Sequence, residues 1–274
     1  MNETSLAERL RALFPGSSGR SLKQWLESGR IEVNGRIARD GRALVRAHDH
    51  IELGGRGRVP FPKGLGLVYQ DDAIAVVDKP PRLLSMATER ERERTAYRLL
   101  WDYLHAQRPP ARPFIVHRLD RETSGLLVFA KSPDAKQRLQ EQFEARAVER
   151  GYRALVKGHV RRDSGTLESR LVEDRSLRVH TARGPEGKTA ITRYRVLSRG
   201  QDTTLLDLSL GTGRRRQIRV QLAAIGHPII GDREHGGPGG QFRRLCLHAT
   251  RLGFIHPATG TAVRFESAAP VAWV

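Results

Sequence analysis

Cysteine is nearly absent from this 274-residue chain: Cys246 is the only one. An internal disulfide is therefore excluded, and so is a metal cluster held by several thiolates. Long apolar runs are missing as well. No stretch approaches the roughly 18 consecutive apolar residues that would cross a bilayer. The opening residues Met1-Asn2-Glu3-Thr4 lack the basic and apolar regions of a secretory signal. A reduced, cytoplasmic setting without a membrane partner is the expectation. Histidines and acids show no ligand-spaced grouping, so no metal is expected. Lysine is scarce: seven of the 48 cationic residues are Lys and 41 are Arg.

What is abundant is positive charge. Against those 48 cations stand 30 acids, a net charge of +18. Such an excess favours a polyanion, nucleic acid before an anionic membrane surface. The Arg bias points the same way, because the guanidinium fork grips phosphate with two bonds and stacks on bases. At 38% hydrophobic residues the chain can bury a core, and its length suits one large or two modest domains.

Near the N-terminus, Leu6, Leu10, Leu13 and Phe14 fall at helical spacing, and Pro15 to Gly19 ends that helix. Ser21 is the expected cap of a second helix carrying Leu22, Trp25 and Leu26, which stops at Gly29. Ile31 and Val33 alternate with polar residues up to Asn34-Gly35, a tight-turn pair, and Ile51 and Leu53 alternate again. Residues 1–54 thus read as a small module and 55–66, rich in Gly, Pro and Arg, as a linker. Residues 67–274 read as a larger domain of many strands and a few helices.

Within the larger domain, Phe114-Ile115-Val116 and Leu126 to Ala130 are apolar runs of strand length, with Thr123-Ser124-Gly125 as a turn signal between them. Asp120 stands on the connection, flanked by Arg118 and Arg121. On charge pattern alone, a solvated surface ion pair is the commoner outcome. A helix with Ala135, Leu139 and Phe143 follows, then a strand with Tyr152, Ala154 and Val156 on one face. Residues 158–188 read as loop with scattered short strands. Ile191 to Leu197 and Leu205 to Leu210 are further strands, and Ala262 to Phe265 the last. Between them, Gly211 to Val220 passes from a glycine turn into a helix with Arg214, Arg215, Arg216 and Gln217 at its start.

His117-Arg118-Leu119-Asp120 followed by Thr123-Ser124-Gly125-Leu126-Leu127-Val128-Phe129-Ala130-Lys131 resembles the signature of the RluA family of RNA pseudouridine synthases. The resemblance implies that Asp120 is the catalytic aspartate. The strand around Tyr152 resembles the family's Tyr-x-Ala-x-Val-x-Gly strand, whose Tyr lies against the target base. In the block Gln217-Ile218-Arg219, Arg219 corresponds to the partner of the catalytic Asp. Such a cation would hold the carboxylate ionised and orient it through a bidentate contact. Arg118, His117, Arg214, Arg215, Arg216 and Gln217 are then candidates for binding substrate. The chain departs from the family in three places. Arg82 stands where a Gly usually follows the Lys79-Pro80-Pro81 prolines. Arg215-Arg216 replaces Thr-His, and Gln221 replaces His.

The segment Gly19 to Gly35 resembles the S4 RNA-binding domain. By that resemblance Arg20, Ser21, Lys23, Gln24, Arg30, Asn34 and Arg36 would contact structured RNA. Taken together, the resemblances imply an α+β fold, a predominantly antiparallel mixed-sheet catalytic domain with a small N-terminal S4-like module. The reaction they imply, uridine to pseudouridine, gains and loses no atoms, so no cofactor is expected. A monomer acting on RNA is expected, with large-subunit ribosomal RNA ahead of transfer RNA as substrate. Two other classes fit the same residues: a non-catalytic RNA-binding assembly factor, and an RNA glycosidase that would release free uracil.

Overall fold

The computed structural model describes residues 3–54, 59–89, 91–108, 110–174, 176, 178–182, 184–237, 242–270 and 273. Gly55 to Arg58 of the expected linker lie outside the described residues. The chain divides into two compact units, residues 1–62 with 101–111, and residues 63–100 with 112–274.

In the first unit, β1 (Glu3–Ser5) leads directly into α1 (Leu6–Leu13). Ser5 and Glu8 form a capping box: the Ser5 hydroxyl accepts from the Glu8 N–H while the Glu8 carboxylate accepts from the Ser5 N–H. The second helix, α2 (Gly19–Glu27), starts three residues before the position the sequence suggested. Its cap is Ser18, which accepts from the Ser21 N–H, so Ser21 sits inside the helix. Then come β2 (Ile31–Val33), β3 (Arg36–Ala38), β4 (Leu44–Arg46) and β5 (Ile51–Leu53). Asn34 and Gly35 both take positive φ, 52° and 74°, as a two-residue hairpin turn between β2 and β3 requires. Leu6, Leu10, Leu22, Leu26, Ile31 and Val45 close over one another as the core. Each such burial contributes about 1.5–3 kcal/mol.

The second unit is built on one sheet. Its strands are β6 (Gly66–Gln70), β7 (Ile74–Lys79), β8 (Phe114–Ile115), β9 (Ser124–Ala130), β10 (Glu149–Lys157), β11 (Ser164–Glu173), β12 (Val179–Thr181), β13 (Lys188–Arg199), β14 (Thr203–Leu210), β15 (Leu247–Ile255) and β16 (Ala262–Glu266). They run in the order β12-β11-β13-β14-β10-β15-β9-β7-β6, with β16 on β15 and β8 on β9. Two helices accompany them, α4 (Pro133–Glu144) and α5 (Gln217–Ala224); α3 (Ala96–Gln107) is divided between the two units. The apolar runs of β7 and β9 are buried almost throughout, as strands covered on both faces must be. Ala135 and Leu139 of α4 pack into the cluster they form with Leu252 and Phe254.

Two elements differ from the sequence reading. Residues 158–188 hold the ten-residue strand β11, whose residues are mostly polar. Its existence rests on an eight-pair ladder to β13, from Ser164↔Arg195 to Leu171↔Lys188, and not on its own hydrophobicity. Between the strand at Leu205 to Leu210 and the last strand, the structure adds the nine-residue strand β15, which the sequence reading did not include.

Among the described strands every pairing is antiparallel but one. At the centre, β15 and β9 run parallel over His248↔Ser124 and Ala249↔Gly125. Gly125 has φ 111°, and a Cβ there would lie 2.2 Å from the Ala249 carbonyl oxygen, so only glycine fits. This seam fixes where the connection carrying Asp120 ends.

Candidate active site

An open cavity of about 170 Å³ lies over the seam. Asp120 and Thr123 reach it from the connection before β9, Leu247 from β15, Tyr152 from β10 and Leu210 from β14. The start of α5, from Gly213 to Arg219, forms the opposite wall. Its volume is below the roughly 300–1,000 Å³ of pockets for drug-sized ligands.

The residues on either side of Asp120 are fixed from one segment. The buried Ser85 hydroxyl accepts from the Leu119 N–H at 3.0 Å and donates to the Leu119 carbonyl at 2.8 Å. Lys79, fully buried, donates to the Arg121 carbonyl at 3.2 Å and to those of Pro80 and Leu83 at 3.0 and 2.8 Å. Burial pushes its pKa down to about 7, against the opposing charges of Asp120 and Glu122. The Thr123 N–H closes a turn on the Asp120 carbonyl at 3.1 Å. Asp120 is thus held by its neighbours' backbone while its own carboxylate faces the cavity. Ser85 and Lys79 were not singled out from the sequence. The one local signal was the Lys79-Pro80-Pro81 run itself.

Arg219 is the centre of the charge network. Its Nη1 lies 3.8 Å from Asp120 Oδ2. Its fork, however, is given to Asp232: Nε to Oδ2 and Nη2 to Oδ1, both 2.7 Å. Nη2 also meets Glu234 at 3.1 Å. The bidentate contact expected for Asp120 is therefore formed with Asp232, and Asp120 receives a longer, single-atom approach. Burial works against the Arg219 cation, but the Asp232 bond and the surrounding acids overcome it and raise its pKa; the same pair holds Asp232 below the ordinary carboxylate range. Asp232 was not among the candidates read from the sequence. Its partner is thirteen residues away and no sequence period connects them.

Tyr152 is 8% exposed, and burial pushes its hydroxyl up to about 12, so it is a neutral phenol. The pairing of β10 with β15 shifts register between Gly151 and Tyr152, a bulge that re-aims the Tyr toward the cavity.

The other expected substrate contacts divide. Arg118 is exposed and lines the cavity, and Arg214 lines it while donating to the Thr189 carbonyl at 3.2 Å. Arg215 is paired with Glu173 and Arg216 with Glu234, so both charges are already met inside the chain. Gln217 is buried and its amide is fully used: Oε1 accepts from Thr212 Oγ1 and the Arg214 N–H, Nε2 donates to Thr192 Oγ1 and the Ile191 carbonyl. It shapes the wall without a free polar group. Gln221 is also internal, accepting from Thr192 and donating to the Ala190 carbonyl at 2.9 Å. His117 does not line the cavity. It stacks on Phe143 at 4.6 Å, and its Nε2 accepts from the Val128 N–H at 3.2 Å. An imidazole that accepts there is neutral, and burial pushes its pKa down to about 3.

In the first unit, Arg20, Lys23, Gln24 and Arg36 are exposed, with Lys23 3.8 Å from Glu27. Arg30 lies over the Trp25 ring at 5.6 Å. The Asn34 amide is occupied, donating to Asp49 and accepting from the His50 N–H, both at 2.9 Å. Ser21 is half-buried, with its hydroxyl 3.0 Å from that of Ser18. Among the described residues, no three His, Cys, Asp or Glu converge to hold a metal, and no helix is long and apolar enough to cross a membrane.

Residues 73–224 match the family described as RNA pseudouridylate synthase. The chain is 33% identical over 288 residues to the ribosomal large subunit pseudouridine synthase D of Pasteurella multocida, covering 98% of this chain and 89% of that protein. It is 32% identical over 293 residues to the protein of that name from Escherichia coli strain K12, with coverages of 98% and 90%. Among solved structures it is similar to human RNA pseudouridylate synthase domain containing 1, with a TM-score of 0.60 and 26% identity over 74% of this chain and 83% of that one. The fold is shared with the human domain-containing-4 protein, with a TM-score of 0.63 and 24% identity over 76% and 90% of the two chains.

Proposed function

This chain belongs to the RNA pseudouridylate synthase family and is a pseudouridine synthase, and from that premise we propose that it acts on large-subunit ribosomal RNA with Asp120 as the reacting carboxylate. The observation that carries the residue assignment is the shared cavity. Asp120, Arg219 and Tyr152 line it together, with Asp120 held at both neighbours and Arg219 locked by Asp232. The two relatives named for ribosomal large-subunit RNA, matched over almost the whole chain, support the substrate.

In the reaction the C1′–N1 bond breaks, the uracil turns, and C1′ rejoins through C5, which gives up its proton as N1 gains one. The uridine must first leave its stack, at a cost of a few kcal/mol. Asp120 acts at the ribose, at C1′ or at the 2′ proton. Arg219 supports the carboxylate with positive charge, and its lock on Asp232 keeps that charge from following the substrate. Tyr152, a neutral ring on a rigid strand, is the platform for the base while it turns. Arg118, exposed at the rim, grips the backbone or fills the vacated stack. The module 1–54 docks structured RNA through Arg20, Lys23 and Arg36, its exposed cations on α2 and the β2–β3 hairpin.

Asp120→Asn should fold and bind RNA as the wild type does and lose more than about 10³-fold in tritium release from 5-labelled uridine RNA, about 4 kcal/mol of barrier. Activity within tenfold of wild type would remove Asp120 from the role. Replacing Arg20, Lys23 and Arg36 together by Gln should lower the salt slope of binding by up to about three; an unchanged slope excludes the module as an RNA contact.

A further inference from the structure

The positive charge of this chain is not evenly available. Around the catalytic cavity Arg215, Arg216 and Arg219 are each matched by an acid. Beyond Arg219 the surface continues into a second hollow, which shares Arg219 with the first and is walled by Arg82, Arg121, Arg233, Arg243 and Arg244. A third hollow shares Arg82 and Arg121 with the second and has Pro80, Pro81, Leu83 and Leu84 on its walls. Arg82, Arg121, Arg233 and Arg243 are exposed. Of these four, only Arg121 has an ion-pair partner among the described residues, Glu122 at 4.0 Å. The acids on these walls are largely engaged elsewhere: Glu234 holds Arg216 and Arg219, and Glu91 accepts from the Glu93 and Arg94 N–H groups. Glu93 is the remaining acid of the third hollow.

Backbone conformation singles out the same rim. Five described residues other than glycine take positive φ; two of them, Arg82 (66°) and Arg243 (46°), line the second hollow, and a third, Arg216 (54°), lines the catalytic cavity beside it. Left-handed non-glycine residues persist where surrounding structure dictates them, and they gather at functional sites. Here the arginines are cross-tied. Arg82 Nη2 donates to the Arg243 carbonyl at 2.5 Å, and Arg121 Nε donates to the Arg82 carbonyl at 3.4 Å. That leaves most of the five Arg82 donors for a ligand.

We infer that the nucleotides flanking the target uridine run as a single strand along this arginine trough, from the Asp120 cavity past Arg82, with Arg82 as the central phosphate contact. The inference rests on the proposed action on RNA and adds the path of the substrate strand. A line of guanidinia, Arg82, Arg233 and Arg243 among them without an ion-pair partner in the described residues, beside apolar walls is what a single strand needs: phosphates meet the forks while bases lie against proline and leucine.

The test uses the full-length protein and in-vitro transcribed large-subunit ribosomal RNA, with affinity measured across a potassium chloride series. Arg82→Gly is the informative variant, because glycine takes a φ of 66° freely and the turn does not suffer. It should melt no lower than wild type, bind about fivefold to tenfold more weakly near physiological salt, and show a salt slope smaller by about one. Arg82→Lys should keep the slope. Unchanged affinity and slope in Arg82→Gly overturn the trough. So does a lower melting temperature with equal losses in both variants and an unmoved slope, since Arg82 would then be only a strut for Arg243. Wild-type protein that releases no tritium from this RNA, while Arg82→Gly still loses affinity and slope, would fault the assigned reaction or target and leave the trough standing.

Discussion

The two walls of the catalytic cavity solve opposite problems. The Asp120 connection presents an acid between Arg118 and Arg121, and what fixes it is neutral: a serine hydroxyl and a turn, with Lys79 bonding only to carbonyls. The start of α5 presents a run of arginines, and what fixes it is charge: Glu173, Glu234 and Asp232 each take one. The Asp120 side therefore keeps its charge for the substrate, while the α5 side uses most of its charge to hold its own shape. A basic sequence block is thus not by itself a binding surface. The acids the fold brings to it decide how much attraction is left.

Removing an acid from the α5 side is expected to have the largest effect. Arg219 is 7% exposed at its side chain and Asp232 fully buried. Asp232→Ala leaves a buried guanidinium without its fork partner, which should cost about 3–5 kcal/mol of stability. Turnover should fall by more than about a hundredfold, because Arg219 is freed to move against Asp120. Glu173→Gln, on the exposed Arg215 pair, should cost no more than about 1 kcal/mol. Denaturant melts of the two variants check this; equal losses would erase the distinction between buried and exposed pairs on this wall.

Breaking the opposite wall should have an intermediate effect. Ser85→Ala strips Leu119 of both hydrogen bonds at a buried position, at about 1–3 kcal/mol. If Ser85 positions Asp120, kcat should drop roughly tenfold with KM little changed, the signature of a misplaced reacting group. A stability loss with kcat intact would make Ser85 a packing residue only.

The smallest effect sharpens the comparison by pH. Burial holds His117 down to about 3 and His248 to about 4, where 6.5 is ordinary. Between pH 6.5 and about 4 the unfolded chain therefore binds protons that the folded chain refuses. Stability is fully present above 6.5 and falls on acidification through that window, by up to about 1.4 kcal/mol per pH unit for each proton. His117→Gln should flatten this slope by the share of one proton while leaving stability near pH 8 within about 1 kcal/mol. An unchanged acid limb in equilibrium denaturation would show that His117 is not a buried neutral imidazole.

Much of the fold was legible because its causes are local. Asn34-Gly35 can turn where other pairs cannot, and the uninterrupted apolar run of β9 suits a strand covered on both faces. The strand β11 was not legible, since its polar residues are held by hydrogen bonds to β13 and carry no hydrophobic period. At the site, the family resemblance pointed to Asp120, Tyr152 and Arg219, and the fold brings all three to one cavity. It also pointed to His117 and Gln217, whose polar atoms the structure finds bonded inside the chain. Arg82 occupies a left-handed conformation that a glycine would take freely, at the position where the family pattern has glycine.

By itself the sequence determined the charge, the tight turn at Asn34-Gly35 and the buried runs, because each depends on residues a few positions apart. Only the tertiary structure decided which charges remain free. Arg219 meets Asp232 across thirteen residues, Arg215 meets Glu173 across 42, and Ser85 reaches Leu119 across 34. Ion pairs and hydrogen bonds form between groups that folding brings within about 3 Å, and nothing in a one-dimensional spacing marks which groups those will be.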